Sequence, residues 1–273
     1  MNNLAIRSIT GLLFGTIVIG SILCGTYIQI ATFSAFMLLG LLEFYRLFKD
    51  QSFLRLSKEI GVFIGAFIFI VLVGIKLETL PNLTISFILP LFLILVLVEL
   101  WKKEANPLLN ISLLVFGIIY VVVPFYLAID LSIKDKSYMP KIIGMFLLIW
   151  TNDTFAYITG RLFGKTKLFE RISPNKTWEG TIGGALITLV FAYIIGQFIN
   201  EGGTFFWIVS AAVIIPCAIF GDLLESLFKR SLNLKDSGNI LPGHGGILDR
   251  FDAAFFAIPF FYCWNMVYSY WLS

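Results

Sequence analysis

Histidine occurs once in this chain, at His244, cysteine only at Cys24, Cys217 and Cys263, and charged residues fill just 14% of its 273 positions. Each scarcity closes off a class of function. The cysteines lie in apolar segments with no CxxC spacing and no histidine near them in sequence, so they form neither a zinc site nor an evident disulfide framework and read as inert packing. So little charge, with a mean hydropathy of +0.90, takes the chain out of the range of soluble domains. A net charge of +3 would suit a nucleic-acid partner in a soluble protein, but sixteen of the twenty basic residues fall in loops between apolar runs, where membrane topology explains them and no nucleic acid is called for. Internal repeats and low-complexity linkers are missing too. Arg7 precedes an apolar run that lacks a small-residue cleavage site and a polar mature domain behind it, so the first span is expected to be retained.

What is present is apolar: 58% hydrophobic residues, 28 of them phenylalanine. A helix needs about 20 mostly apolar residues to cross the hydrocarbon. By that ruler nine spans are expected, near residues 8–25, 27–48, 60–76, 83–101, 108–130, 141–160, 178–199, 204–225 and 253–272. The expected fold is all-α, a polytopic integral membrane protein. Lys and Arg are retained on the cytoplasmic side of short loops. Arg7, Arg46, Lys49, Arg55, Lys58, Lys102, Lys103, Arg161, Lys165, Lys167, Arg171, Lys176, Lys229, Arg230, Lys235 and Arg250 fall on one side if the N-terminus is cytoplasmic, leaving Lys76, Lys134, Lys136 and Lys141 on the other. The C-terminus then lies opposite the N-terminus. The polar loops 161–177 and 226–252 both face the cytoplasm, where nucleoside triphosphates are. Residues 1–140 read as scaffold and lipid access, residues 141–273 as the catalytic region. Gly11 with Gly15 and Gly61 with Gly65 suit close helix packing. Glu43 and Glu99, beside Tyr45 and Trp101, are expected near the membrane interface without a catalytic part.

Polar residues return in the sixth span. Asp153, Tyr157 and Arg161 recur every four residues and share a helix face directed toward the cytoplasmic end. An ionisable group at that depth costs several kcal/mol unless it meets a partner or a wet cavity, so Asp153 serves either a packing ion pair or a ligand. GRLFGKT, residues 160–166, imitates a P-loop but has three residues between its glycines and follows an apolar helix, so it is not one. SPNKTWEG follows, with Ser173, Asn175, Lys176 and Glu179, entering a helix at Thr177 to Gly180. At the end of the eighth span Asp222, Glu225, Ser226 and Lys229 share one face.

The densest polar stretch runs from Ser226 to Asp252 and holds Lys229, Arg230, Lys235, Asp236, His244, Asp249, Arg250 and Asp252 among Gly238, Gly243, Gly245 and Gly246. Cations suit an anionic ligand, carboxylates suit a hard divalent cation, and glycines let backbone amides approach phosphate. Asp222, Asp249 and Asp252, brought together from helix ends, would make a Mg²⁺ nest; an ion-pair network with Lys229, Arg230 and Arg250 is the other reading. PGHGG reads as a tight turn whose ring and amides meet phosphate, with the glycines serving either the ligand or the turn alone.

This stretch resembles the signature of the phosphatidate cytidylyltransferases, or CDP-diglyceride synthases, in Ser226, Lys229, Arg230, Lys235, Asp236, Gly238, Leu241, Pro242, His244, Gly245, Gly246, Asp249, Arg250 and Asp252. SPNKTWEG, preceded by Asn152-Asp153, Tyr157 and Gly160-Arg161, resembles the family's second common string. The resemblance implies attack of the phosphatidic acid phosphate on the α-phosphorus of CTP, giving CDP-diacylglycerol and pyrophosphate. Under it Asp222 and Asp249 are the first candidate Mg²⁺ ligands, with Asp252 or Asp236 helping. Lys176, Lys229, Arg230, Lys235 and Arg250 would hold phosphates. Asp153, Tyr157, Arg161, Lys165, Ser173, Asn175, Ser226, His244, Gly245 and Gly246 would line the substrates. The resemblance further implies a monovalent cation such as K⁺, a homodimer, and a place in the inner membrane of a bacterium. The rival is an ion or solute transporter using Asp153, Asp222 and Glu99. It explains the buried acids but not the basic and glycine-rich loops, and paired broken helices are missing. A CDP-alcohol phosphotransferase would need a motif beginning Asp-Gly-x-x-Ala-Arg, which the chain lacks.

Overall fold

Apolar runs of about 20 residues must satisfy their backbone groups internally in hydrocarbon, and helices do so within each segment. The computed structural model describes residues 3–49, 56–102, 106–135, 140–199, 202–234, 236–238 and 245–272. Its helices are α1 Asn3–Leu23, α2 Thr26–Arg46, α3 Lys58–Lys76, α4 Ile88–Trp101, α5 Pro107–Gly117, α6 Val123–Lys134, α7 Lys141–Phe163, α8 Trp178–Phe198, α9 Gly203–Ser231 and α10 Leu248–Leu272. A 3₁₀ turn at Asn82–Phe87 leads into α4, and a π turn at Ile118–Val122 joins α5 to α6. Among the described residues seven segments are long and apolar enough to cross a membrane: Thr26–Arg46, Lys58–Lys76, Asn82–Trp101, Pro107–Ile133, Lys141–Phe163, Trp178–Phe198 and Gly203–Ser231. The protein is thus an all-α integral membrane protein. Helices also stand at the first and last expected spans: α1, apolar over Thr10–Leu23, and α10, which is diluted by Asn265, Ser269 and its charged first turn.

Two expected loops prove more ordered. Within 161–177, β1 Lys167–Phe169 and β2 Ser173–Thr177 pair antiparallel, Lys167 opposite Thr177 and Phe169 opposite Ser173. Within 226–252, α9 continues to Ser231 and α10 begins at Leu248, because the polar face of α9 keeps its helical spacing beyond the apolar run. Lys235 and His244, with Leu241 and Pro242, lie outside the described residues.

The chain forms two compact units, Met1–Asp130 with Asp236–Arg250, and Leu131–Lys235 with Phe251–Ser273. In the first, Gly61 and Gly65 do allow close approach: α3 lies against Tyr45, Leu114, Leu41 and Val122 there. The Tyr45 hydroxyl donates to the Leu114 carbonyl at 2.8 Å, and Phe33 meets Phe125 edge-on at 5.9 Å. Buried charge is paired. Asp130 meets Lys76, and Glu99, 4% exposed, accepts from Lys102 at 2.5 Å and from the Asn110 amide at 3.1 Å. Glu43 is 2% exposed, so both it and Glu99 are buried within the protein.

In the second unit α7 and α8 pack through small residues. Gly180 and Gly184 of α8 lie against Ala156, Gly160 and the Asn152 carbonyl of α7. One end of this unit is aromatic: Phe206, Trp207, Phe261, Trp264 and Tyr268 interlock, the Trp264 indole donates to Ser210 Oγ at 3.0 Å, and the Tyr268 hydroxyl donates to the Gly202 carbonyl at 2.6 Å. The opposite end carries the polar residues.

A methyl at Gly184 would stand 2.8 Å from Ala156 Cβ, whereas one at Gly20 would meet nothing within 4 Å. Gly184→Ala is therefore expected to cost about 1–3 kcal/mol and lower the thermal midpoint in detergent, with Gly20→Ala leaving it unchanged or slightly raised.

Candidate active site

The polar end of the second unit gathers the close of α7 and α9, the start of α8 and α10, and the β-hairpin. Asp153 lies ten residues before the end of α7 and Asp222 nine before the end of α9. At 1.5 Å per residue both stand roughly 14–15 Å below those ends. Asp222 reaches Asp252 because its neighbour Gly221 has no side chain: a methyl there would stand 2.6 Å from the Asp252 carbonyl and 3.1 Å from Ala253 Cα. Asp222, Glu225 and Asp153 are near enough for their charges to bear on Asp252. Carboxylates from three helices thus converge on Asp252.

Cations answer them. Lys176, carried on β2, places Nζ 2.5 Å from Asp222 Oδ2, and the Ser226 hydroxyl donates to Asp222 Oδ1 at 3.2 Å. Lys229 pairs with the buried Glu225 at 2.5 Å, one turn along α9. Asp252 Oδ1 accepts from the Ala253 amide at 2.7 Å. Asp222, Glu225, Ser226 and Lys229 do share the face that their spacing assigns them. Arg230 is exposed and reaches the carbonyls of Ile172 at 3.5 Å and Leu234 at 3.2 Å.

The hairpin is held where SPNKTWEG enters α8. Thr177 caps α8, its hydroxyl oxygen accepting from the Gly180 amide at 3.2 Å. The Glu179 carboxylate accepts from the Lys165 amide at 3.0 Å and the Thr166 amide at 3.1 Å, and the Trp178 amide bonds the Thr166 carbonyl at 2.9 Å. Glu179 thus closes the loop leaving α7, and Lys176 is presented from a fixed strand. Ser173 is half-buried and Asn175 exposed on β2; Asp153, Tyr157, Arg161 and Lys165 are exposed around the same end. GRLFGKT is the end of α7 and the loop beyond it, with Gly164 as the helix C-cap, as the rejected P-loop requires.

Beside the cluster lies an apolar cavity of about 310 Å³ lined by Phe169, Ile172, Phe220, Leu223, Leu224, Leu227 and Phe256. On α9 residues 220, 223, 224 and 227 form the face opposite 222, 225, 226 and 229, with Arg230 between the two.

In the first unit, Asp249 Oδ2 accepts from the Ser237 amide at 2.9 Å, the Ser237 hydroxyl at 2.8 Å and the Gly246 amide at 2.8 Å. Gly245 adopts φ +78°, a left-handed turn, with Asp249 Oδ2 in contact where a side chain would begin. Arg250 is half-buried and Asp236 exposed. Among the described residues no three of His, Cys, Asp and Glu are disposed to hold one metal ion together. The chemistry of the oxygen donors around Asp252 nonetheless suits a hard divalent cation. Glu225 is an acid of the cluster that the sequence reading did not place among the ligands, although its three-residue spacing from Asp222 signalled it; Glu43 and Ser237 carried no such signal.

The site thus gathers carboxylates and lysines at one end of the second unit, beside an apolar surface. Comparison sharpens this. The model of the cytidylyltransferase family matches residues 5–268. A phosphatidate cytidylyltransferase of Haemophilus influenzae is 34% identical, covering 90% of this chain and 94% of its own length. Those of Staphylococcus haemolyticus, 35% identical over 77% of this chain and 80% of its own, and of Bacillus subtilis, 39% identical over 56% and 57%, are similar as well. The chain belongs to the cytidylyltransferase family.

Thr177→Ala should cost about 1 kcal/mol of stability by removing the α8 cap and speed amide exchange at Gly180, and Thr177→Ser should restore both; unchanged exchange in Thr177→Ala would contradict the capping assignment.

Proposed function

We propose that this protein transfers the cytidylyl group of CTP to phosphatidic acid at the cluster of Asp222, Asp252, Glu225 and Asp153. The observation that carries the reading is Lys176 on Asp222: a lysine of the SPNKTWEG string pairs with an acid one helical turn before Ser226, where the other family-like string begins. A phosphate oxygen of phosphatidic acid attacks the α-phosphorus of CTP. The new P–O–P bond forms as the bond from the α-phosphorus to the oxygen bridging it to the β-phosphorus breaks, and pyrophosphate leaves with CDP-diacylglycerol as the lipid product. A phosphomonoester is already largely ionised near pH 7, so no side chain has to remove a proton.

The work of the protein is alignment and charge compensation. Lys176, Lys229 and Arg230 hold phosphates, with Arg161 and Lys165 at the rim and Lys235, Arg250 and His244 contributing from the motif stretch. Asp222 and Asp252 would hold Mg²⁺, with Asp249 and Asp236 further candidates on the chemistry of their carboxylates. When bound, the ion offsets charge on the triphosphate and the departing pyrophosphate. A monovalent cation such as K⁺ is a second expected ion. An acyl chain of the lipid occupies the cavity between the hairpin and α9, with Arg230 between the apolar and acidic faces of that helix.

The wider reading keeps nine spans, the N-terminus and the phosphate site on the cytoplasmic side of a bacterial inner membrane, and a homodimer. Supporting the orientation is the basic excess in the loops on the side of Lys176 and Lys229.

Purified protein given cytidine-labelled CTP, phosphatidic acid and Mg²⁺ should place label in organic-extractable lipid, and Asp222→Asn should lower the rate roughly 100-fold or more. Folded wild type that labels no lipid across several acyl compositions would overturn the reading. Leu227→Trp, which narrows the cavity, should raise KM for phosphatidic acid about tenfold, about 1.4 kcal/mol, with KM for CTP unchanged.

A further inference from the structure

We infer that Glu43, on the remote helix α2, is the positioning residue for the motif stretch that carries Asp249 and Arg250. The inference rests on the cytidylyltransferase reading for its effect on rate, and on geometry alone for its effect on the loop.

A carboxylate 2% exposed in an apolar helix is costly unless hydrogen-bonded or paired. Glu43 Oε2 accepts from the Leu248 amide at 3.0 Å across 205 residues of sequence, and the Ile247 amide bonds the same carboxylate. These amides are at the N-terminus of α10, where unpaired donors and the helix dipole favour an anion. Gly246-Ile247-Leu248 has no polar side chain of its own to cap them. Glu43 is therefore the cap, delivered from another helix. One turn earlier α2 keeps contact with the same segment, Gly40 facing Ile247 and Leu248.

The glycines complete the fit. A methyl at Gly246 would stand 2.5 Å from Glu43 Oε1 and 2.6 Å from Cδ, and one at Gly238 would stand 2.6 Å from Oε1. Neither residue has positive φ, so the turn does not demand glycine at these two positions; the carboxylate does. Two ends of the motif stretch, 236–238 and 245–250, thus close on one side chain. Asp249 ties the same ends from the other side through Ser237 and Gly246. Removing Glu43 frees Asp249 and Arg250 to shift, and a misplacement of about 1 Å can cost about 100-fold in rate.

The test is a double-mutant cycle of Glu43→Ala and Gly246→Ala in full-length protein, read by kcat and by amide exchange of residues 245–250. Each single change should lower kcat about 100-fold with KM for both substrates nearly unchanged, and raise exchange selectively in that segment. Gly246→Ala should cost little more once Glu43→Ala has made room. Effects that add in full, or wild-type kcat and exchange in folded Glu43→Ala, overturn the proposal. Should Glu43→Ala not fold, Glu43→Gln replaces it: the charge is lost and one acceptor remains, so exchange at 245–250 must rise above wild type, and unaltered exchange overturns the proposal. A wild type without cytidylyltransferase activity overturns the functional reading, while the exchange cycle still decides the anchoring role.

Discussion

A carboxylate carried into an apolar helix bundle has to be hydrogen-bonded or paired, and that constraint orders each unit of this protein. Asp130 takes Lys76, Glu99 takes Lys102 and Asn110, Glu225 takes Lys229, and Asp222 takes Lys176 and Ser226. Glu43 takes the start of a helix. Around Asp252 the carboxylates of Asp222, Glu225 and Asp153 converge, and oxygen donors gathered in this way suit a hard cation.

Close approach makes this concentration possible. Gly221 lets α9 touch the backbone of α10, and Gly180 with Gly184 lets α8 lie on α7, so helix ends that carry acids and lysines converge. A binding site built from helix ends and one short hairpin is stiff, which is what alignment of two polyanionic substrates requires. The apolar cavity beside it joins that polar end to a surface suited to acyl chains.

Much of this was legible in the sequence, for reasons that can be named. Seven of the expected spans coincide with apolar helices, since hydropathy over 20 residues is a strong signal. The shared face of Asp222, Glu225, Ser226 and Lys229 followed from helical spacing, and Thr177 as a cap followed from its place before Trp178-Glu179-Gly180. The hairpin escaped because two strands of three and five residues, one containing Pro174, leave no alternating pattern long enough to read. Glu43 escaped because its partners lie 205 residues away, and its own surroundings, Leu-Leu-Glu-Phe-Tyr-Arg, look like any helix end at a membrane surface.

The central claim is that the α-phosphorus of CTP is the atom attacked. It is tested most directly by giving wild-type protein phosphatidic acid with CTP labelled in the α- or the γ-phosphorus. The account predicts α-label in extractable lipid and γ-label in pyrophosphate. γ-Label in lipid would make the protein a phosphoryl-transferring lipid kinase and contradict it.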